Sequence, residues 1–264
     1  MNQSAAPSPI GTLLRAFRAQ KNLTQLGLSL EAGISTRHLS FIETGRSVPS
    51  RETVLILGEA LKLGLRDRNG LLGAAGYSPA YRETPLAATD GPIRQAIEGM
   101  LAASGSNPAW VINRRFDVLK MNHAGETLLR RFCVDPPAAT PNLARLLISP
   151  RGLRPHIENV DRVILHVLER IQREVGGVHA RAPGDEELLA AVLPEVSRLR
   201  TLGIQPYSTM LVPVGFRRDG LALDLFTAIT TFGSPSDVTL QELRIETLFP
   251  MDEESRQRLD SLGG

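Results

Sequence analysis

The residues of this chain whose types and spacing suit chemistry lie between Thr24 and Gly45, in the run TQLGLSLEAGISTRHLSFIETG. Placed on a helix, Leu39 and Ile42 share one apolar stripe, and Thr36, Arg37, Ser40 and Phe41 point elsewhere. Two hydroxyls, one guanidinium and one aromatic ring form a set able to touch base edges and thymine methyls, with arginine best matched to guanine. Ser35 stands where a helix cap belongs, and Arg46, just past the helix, is placed for phosphate. The competing readings are a plain helical bundle, a core role for Phe41 and a merely solvated Arg46.

No other constellation carries chemistry. The chain has no Gly-rich phosphate loop, no G-x-S-x-G elbow and no H-E-x-x-H helix, so no enzyme is expected. Its five histidines, at 38, 123, 156, 166 and 179, are scattered. His156 and His166 are too far apart to chelate as an i, i+4 pair, and no metal is expected. The single cysteine, Cys133, excludes an internal disulfide; a half-buried helix-end thiol is expected, with a redox sensor beside Arg130 and Arg131 as the alternative.

The elements that must hold the Thr24–Gly45 residues are short helices. Ile10, Leu13, Leu14 and Phe17 predict a first helix over about 10–21. Thr24 caps a second, in which Leu26, Leu28, Leu30 and Ala32 are expected to face neighbouring helices before Gly33 ends it. After the turn at Thr44-Gly45-Arg46, Ser50 leads into a fourth helix over 51–62, opened by Arg51, and a fifth is expected over 67–75. A flexible lead-in precedes them at residues 1–9.

At 264 residues there is room for one large or two ordinary domains, and 42% hydrophobic with 22% charged residues describes an ordinary soluble protein. No apolar run could cross a membrane and the N-terminal residues lack a secretory pattern, so the cytoplasm is expected. The charge is unevenly divided. Residues 1–76 hold nine Lys or Arg against five Asp or Glu, and the remainder 21 against 23, so the positive excess accompanies the candidate interface as phosphate contact requires.

The run IGTLLRAFRAQKNLTQLGLSLEAGISTRHLSFIETGRSVPSRETVLILGEALKL resembles the lambda-repressor-like, or XRE-type, helix-turn-helix domain. An Arg-bearing first helix, Thr-Gln opening the second, Gly-Ile-Ser at the turn and Glu-x-Gly-Arg after the recognition helix carry the likeness. The resemblance implies that Gln25 anchors the DNA backbone, that Arg18 pairs with Glu43, and that Thr36, Arg37, Ser40 and Phe41 face the groove. The expected DNA-binding set is Gln25, Ser35, Thr36, Arg37, Ser40, Phe41, Arg46 and Arg51.

Beyond a Gly-, Ala- and Pro-rich connector at 77–91, the pattern predicts a helix over 91–103, a strand at 108–112, a polar turn at 113–117 and a strand at 118–121. Helices follow at about 124–132, 142–147 and 157–175, then a helix opened by Asp185 that Pro194 should kink or split. Alternation over Thr209–Phe216 and Leu221–Ile229, across Arg218-Asp219-Gly220, predicts a hairpin. Residues 240–249 read as a third long strand with Leu243, Ile245 and Thr247 inward, or as helix. Two strands, helices, then three strands is the order of a PAS-like fold, an α+β domain whose antiparallel sheet and helices enclose a small-molecule cavity.

The segments GLLGAAGYSPAYRETPL, NPAWVINRRFDVLKMNHAG and LFTAITTFGSPSDVTLQELRIETLFPMDEES resemble the MmyB-like transcription regulators, members of which often carry Trp where Phe116 and Met121 stand. The resemblance implies an all-α, five-helix DNA-binding domain at 1–76, a PAS-like domain at 92–256 that binds ligand and dimerises, and a tail at 257–264. Met121, Asn122, His166, Val167, Met210, Val212, Leu225 and Thr227 are the expected ligand-binding residues. A mostly apolar set with few polar anchors suits a fatty-acid-like or other small hydrophobic ligand, with no further cofactor. The partner expected is double-stranded DNA with a pseudo-palindromic operator, met by a homodimer. The alternatives are a second domain that only dimerises and a haem-binding sensor.

Overall fold

A computed structural model describes residues 8–88, 91–176, 178, 182–207, 211–233 and 235–262. The helices are α1 (Pro9–Gln20), α2 (Gln25–Glu31), α3 (Thr36–Glu43), α4 (Arg51–Ala60), α5 (Leu65–Ala74), α6 (Gly91–Ala103), α7 (His123–Phe132), α8 (Leu143–Ile148), α9 (Val160–Glu174), α10 (Asp185–Thr201), α11 (Val238–Glu242) and α12 (Glu253–Leu262). The strands are β1 (Ala109–Ile112), β2 (Val118–Met121), β3 (Pro213–Arg218), β4 (Leu221–Thr230) and β5 (Arg244–Pro250). Two compact units result. The first is Met1–Thr84 with Val178–Arg181 and Ser234–Gln241; the second is Pro85–Gly177, Ala182–Gly233 and Glu242–Gly264.

In the first unit α1 to α5 enclose a core of Ile10, Leu14, Phe17, Leu28, Leu39, Ile42, Leu57 and neighbours. Hydroxyl caps start the helices: Ser8, Thr24, Ser35 and Ser50 each accept from the backbone N–H three residues on. Leu28 and Ala32 turn inward on α2, whereas Leu26 and Leu30, expected to do the same, are 58% and 73% exposed. Their spacing from Leu28 is two residues, which a helix rotates well away from the buried face. At Gly11 α1 comes so close to α3 that an added Cβ would lie 2.5 Å from the Glu43 carbonyl oxygen.

A piece of the chain between β4 and β5 also belongs to this unit. Gln241 Oε1 accepts from the Leu65 N–H at 2.6 Å, capping α5, whose own cap residue Gly64 offers no side chain. Asp237 Oδ2 accepts from the N–H and hydroxyl of Thr84, and Val238 is fully buried.

The second unit is built on a five-stranded antiparallel sheet in the order β2-β1-β5-β4-β3. Asp219 and Gly220 both take positive φ, as the tight β3–β4 turn requires. Helices α7, α8, α9 and α10 bury their apolar faces in one cluster with Trp110, Phe116, Phe132, Phe216 and Leu225.

Several expectations need correction. Residues 240–242 close α11 and the strand begins only at Arg244, because Asp237 Oδ1 accepts from the Thr239 and Leu240 N–H groups and nucleates a helical turn. In β5 Glu246 and Leu248 are buried as well as Ile245 and Thr247, since the strand is central and both of its faces are covered. The long helix starts at Val160, Ile157 being taken by a bridge to Phe216. Pro194 does not divide α10, which has buried apolar residues on both sides of it, at Val192 and Val196. The hairpin strand starts at Pro213, with Val212 just outside it; Thr209, Met210 and His179 lie outside the described residues. Residues 257–262, expected as tail, complete α12, with Leu259 buried.

Candidate nucleic-acid interface

The interface is organised by a carboxylate that ought not to be where it is. Glu43 closes α3, the negative end of the helix dipole, and its side chain is 1% exposed. Arg18 makes this tolerable. Its Nε donates to Oε1 at 2.8 Å and its Nη2 to Oε2 at 3.0 Å, while Nη1 reaches the Leu23 carbonyl at 3.0 Å. The hydrogen bond to Glu43 raises the arginine pKa above its ordinary value, more than offsetting the opposing effect of burial. Gln25 Nε2 adds a third donor to Glu43 at 2.8 Å, so one network spans α1, α2 and α3 and sets the angle of the recognition helix.

The turn before α3 is closed by Gly33 at positive φ and by the Ile34 N–H donating to the Ser29 carbonyl at 3.0 Å. Ser35 Oγ then accepts from the His38 N–H at 3.1 Å. Ser29, buried, donates its hydroxyl to the Leu26 carbonyl and lies 2.9 Å from Thr36 Oγ1. With the Ser29 hydroxyl donating to Leu26, the arrangement that satisfies both hydroxyls has Thr36 donating to Ser29. Thr36, half-buried, therefore holds its hydroxyl toward Ser29 with acceptor capacity left over, beside its methyl group.

Of the expected set, Arg37, Arg46, Arg51 and Ser35 are exposed, and Gln25, Thr36, Ser40 and Phe41 half-buried. The Phe41 ring is not in the core. It lies under two guanidinium groups, Arg37 at 5.3 Å and Arg46 at 6.0 Å from the ring centroid. His38, exposed one residue after Arg37 and three before Phe41, belongs to the same surface. Its i, i+3 relation to Phe41 was the available signal. Behind α3, Tyr77 donates to the Pro49 carbonyl at 3.0 Å and steadies the segment leading to Arg51.

In the second unit the expected ligand residues separate. Met121 and Val167 border the apolar cluster that contains Leu225. Val212 and Thr227 are half-buried, Thr227 being paired with Leu248 across β4 and β5, and Met210 lies outside the described residues. Asn122 is fully engaged in the fold: its Oδ1 accepts from Gly125 and Ala109 N–H groups, and its Nδ2 donates to the Asn107 carbonyl. Burial first, then Arg173 and Arg170, hold the His166 pKa below its ordinary value, so it is neutral near pH 7.

Pattern reading missed a polar group in this interior. Glu246 on β5 stands opposite Trp110 on β1, accepts from Arg170 Nη1 at 2.5 Å and lies 3.5 Å from Trp110 Nε1. Arg170 also donates to Glu174 at 3.0 Å and sits 4.8 Å from the Phe116 ring. A charged residue on a buried strand face was the only sequence trace.

The profile of the MmyB-like transcription regulator ligand binding domain matches residues 93–262, and a helix-turn-helix profile matches residues 14–67. The uncharacterized HTH-type transcriptional regulator RghRB of Bacillus subtilis (strain 168) is 36% identical over 93 residues, 35% of this chain and 59% of that protein. The chain thus spans about three fifths of the length of this curated relative. Among solved structures, the clp gene regulator ClgR from C. glutamicum is 30% identical over 26% of this chain and 86% of its own, at a TM-score of 0.24. An RNA-binding Light-Oxygen-Voltage receptor is 12% identical over 98% of this chain and 62% of its own, at a TM-score of 0.26.

Proposed function

The chain belongs to the MmyB-like transcription regulators, joining their ligand binding domain to a helix-turn-helix, and from this premise we propose a sequence-specific regulator that reads double-stranded DNA through α3 and answers to a small hydrophobic ligand. The observation that carries the proposal is the division of α3 into two faces. Leu39, Ile42 and Glu43 are buried, while Thr36, Arg37, Ser40 and Phe41 lie on the accessible side with Arg46 beyond the helix end. The buried face is spent on folding; the other is built for partners.

Arg37 is the base reader, suited to a bidentate contact with guanine, and Thr36 and Ser40 supply the shorter groups. Arg46 and Arg51 meet phosphates on either side, with Gln25 and Ser35 at the helix N-termini close to the backbone. A homodimer would present two such helices to a pseudo-palindromic operator with half-sites about one helical turn apart. In the second unit Met121, Val167 and Leu225 are the wall against which an apolar ligand would lie, with His166 as a neutral polar neighbour. Such a ligand alters DNA affinity only by binding one arrangement of the protein better than another.

The test pairs two variants on DNA selected from a random library. Arg37→Ala should cost about 1–3 kcal/mol on the selected duplex and relax preference at one base pair, whereas Arg46→Ala should weaken selected and random DNA alike and flatten the salt dependence. Equal losses on both DNAs for Arg37→Ala would remove the base-reading role. Native mass spectrometry of the purified chain tests the ligand, a co-purifying apolar molecule being the expected result. A Soret band in the same preparation would favour a haem sensor instead.

A further inference from the structure

Resting on the reading of the first unit as a DNA-binding domain, we propose that Phe41 is a positioning residue, which holds Arg37 and Arg46 over its ring in their DNA-reading arrangement and does not itself read a base. An aromatic at this place in a helix has two ordinary fates. In the core it would be as buried as Phe17, which is 1% exposed, yet Phe41 is half-buried and outside the helical core. As a groove contact it would present its ring to the partner, yet two guanidinium groups already lie over it, at 5.3 and 6.0 Å from the centroid.

The backbone brings the two arginines there from before and after Phe41 in the chain. Arg37 precedes Phe41 by four residues, and a helical side chain leans toward the N-terminus, so the ring tilts onto Arg37. Arg46 returns from beyond the helix end. Gly45, at φ 76°, reverses the chain, and the N–H groups of Arg46 and Ser47 both donate to the Phe41 carbonyl, at 2.8 and 3.2 Å. The same residue thus anchors Arg46 by its carbonyl and attracts its guanidinium by its ring.

Two guanidinium groups brought toward one point repel each other, and free arginines keep many rotamers. The negative face of the ring offsets the first effect and reduces the second before DNA arrives. Binding then orders less side chain, which appears as affinity. The chemistry also predicts a coupling: the base-reading arginine and the phosphate-binding arginine share one platform, so loss of the ring loosens both.

The experiment uses the full chain, a labelled duplex selected from a random library by the wild-type protein, and a scrambled duplex, read by fluorescence anisotropy. From the size of exposed cation–π contacts, Phe41→Leu should weaken the selected duplex about 3- to 10-fold. Phe41→Tyr, which keeps the ring, should recover most of that loss. In the Arg37→Ala, Arg46→Ala double variant, adding Phe41→Leu should cost less than about twofold, because nothing is left for the ring to hold. Circular dichroism melting of each variant separates lost folding from lost positioning, and the cycle within the double variant cancels a common stability loss.

A full Phe41→Leu effect persisting in the double variant would overturn the proposal in favour of direct contact, as would wild-type affinity for Phe41→Leu. Failure of the wild-type chain to enrich any duplex would instead defeat the DNA-binding reading itself.

Discussion

Replacing Glu43 by alanine tests the claim that one buried carboxylate sets the geometry of α1, α2 and α3. The substitution removes the two carboxylate acceptors of the Arg18 guanidinium, at 2.8 and 3.0 Å, and the acceptor of Gln25 Nε2, at 2.8 Å. Breaking a buried ion pair by deleting one partner costs about 3–5 kcal/mol, because the surviving charge stays desolvated. Here the survivor is 19% exposed and keeps the Leu23 carbonyl, which argues for the lower end, about 3 kcal/mol.

Against a denaturant slope of about 1.5 kcal/mol per molar urea, that loss lowers the unfolding midpoint by about 2 M. Glu43→Gln should fall between, since its carbonyl still accepts from Arg18 but its amide group presents a donor to another donor. The chain has a single tryptophan, Trp110, and it lies in the second unit. Far-UV circular dichroism follows the helices of both units, while Trp110 fluorescence reports on the second alone, so the dichroism transition that fluorescence does not share belongs to the first unit. A dichroism midpoint lowered by less than about 0.5 M would refute the reasoning, since an organising pair cannot be deleted at so small a cost.

Gly11→Ala should cost about 1–3 kcal/mol in thermal unfolding of the same unit, because the new methyl meets the Glu43 and Ile42 carbonyl oxygens at 2.5 and 2.8 Å; a neutral substitution would contradict the close approach of α1 and α3. In the second unit hydrogen bonds from Arg198, then Arg154, bring the Glu195 carboxyl down to about 2 from 4.5. A depressed folded-state pKa stabilises fully above about pH 4.5 and progressively less as pH falls toward 2. Wild type should therefore lose about 1–2 kcal/mol more than Glu195→Gln between pH 5 and pH 2.5, measured by urea midpoints. Burial pushes the Cys133 thiol up to about 11, so iodoacetamide at pH 8 should label it only as fast as the second unit opens; rapid labelling of native protein would revive the sensor reading.

Much of this protein is visible in local pattern. The helix-turn-helix, the resemblance to MmyB-like regulators and the antiparallel sheet with its helices could all be read from the sequence, because caps at Thr24, Ser35 and Ser50, the positive-φ Gly33 and the Asp219-Gly220 turn act over three or four residues. Such signals belong to the chain itself. The interval 240–249 could not be resolved this way, since its apolar residues suit helix and strand alike until Asp237 caps α11 and β5 takes the centre of the sheet.

Charge and exposure were decided later still. Leu26 and Leu30 face outward although their composition argued for burial, and Glu246 is buried although its charge argued against it. Whether a polar group is admitted to an interior depends on a partner supplied from far along the chain, as Arg170 is for Glu246 and Arg18 for Glu43. The sequence by itself determined which elements form and that α3 carries Thr36, Arg37, Ser40 and Phe41 away from its apolar stripe. Only the tertiary structure decided that Glu43 and Glu246 are buried against Arg18 and Arg170 and that Asn122 is spent on the backbone around it, because those outcomes follow from where the chain returns.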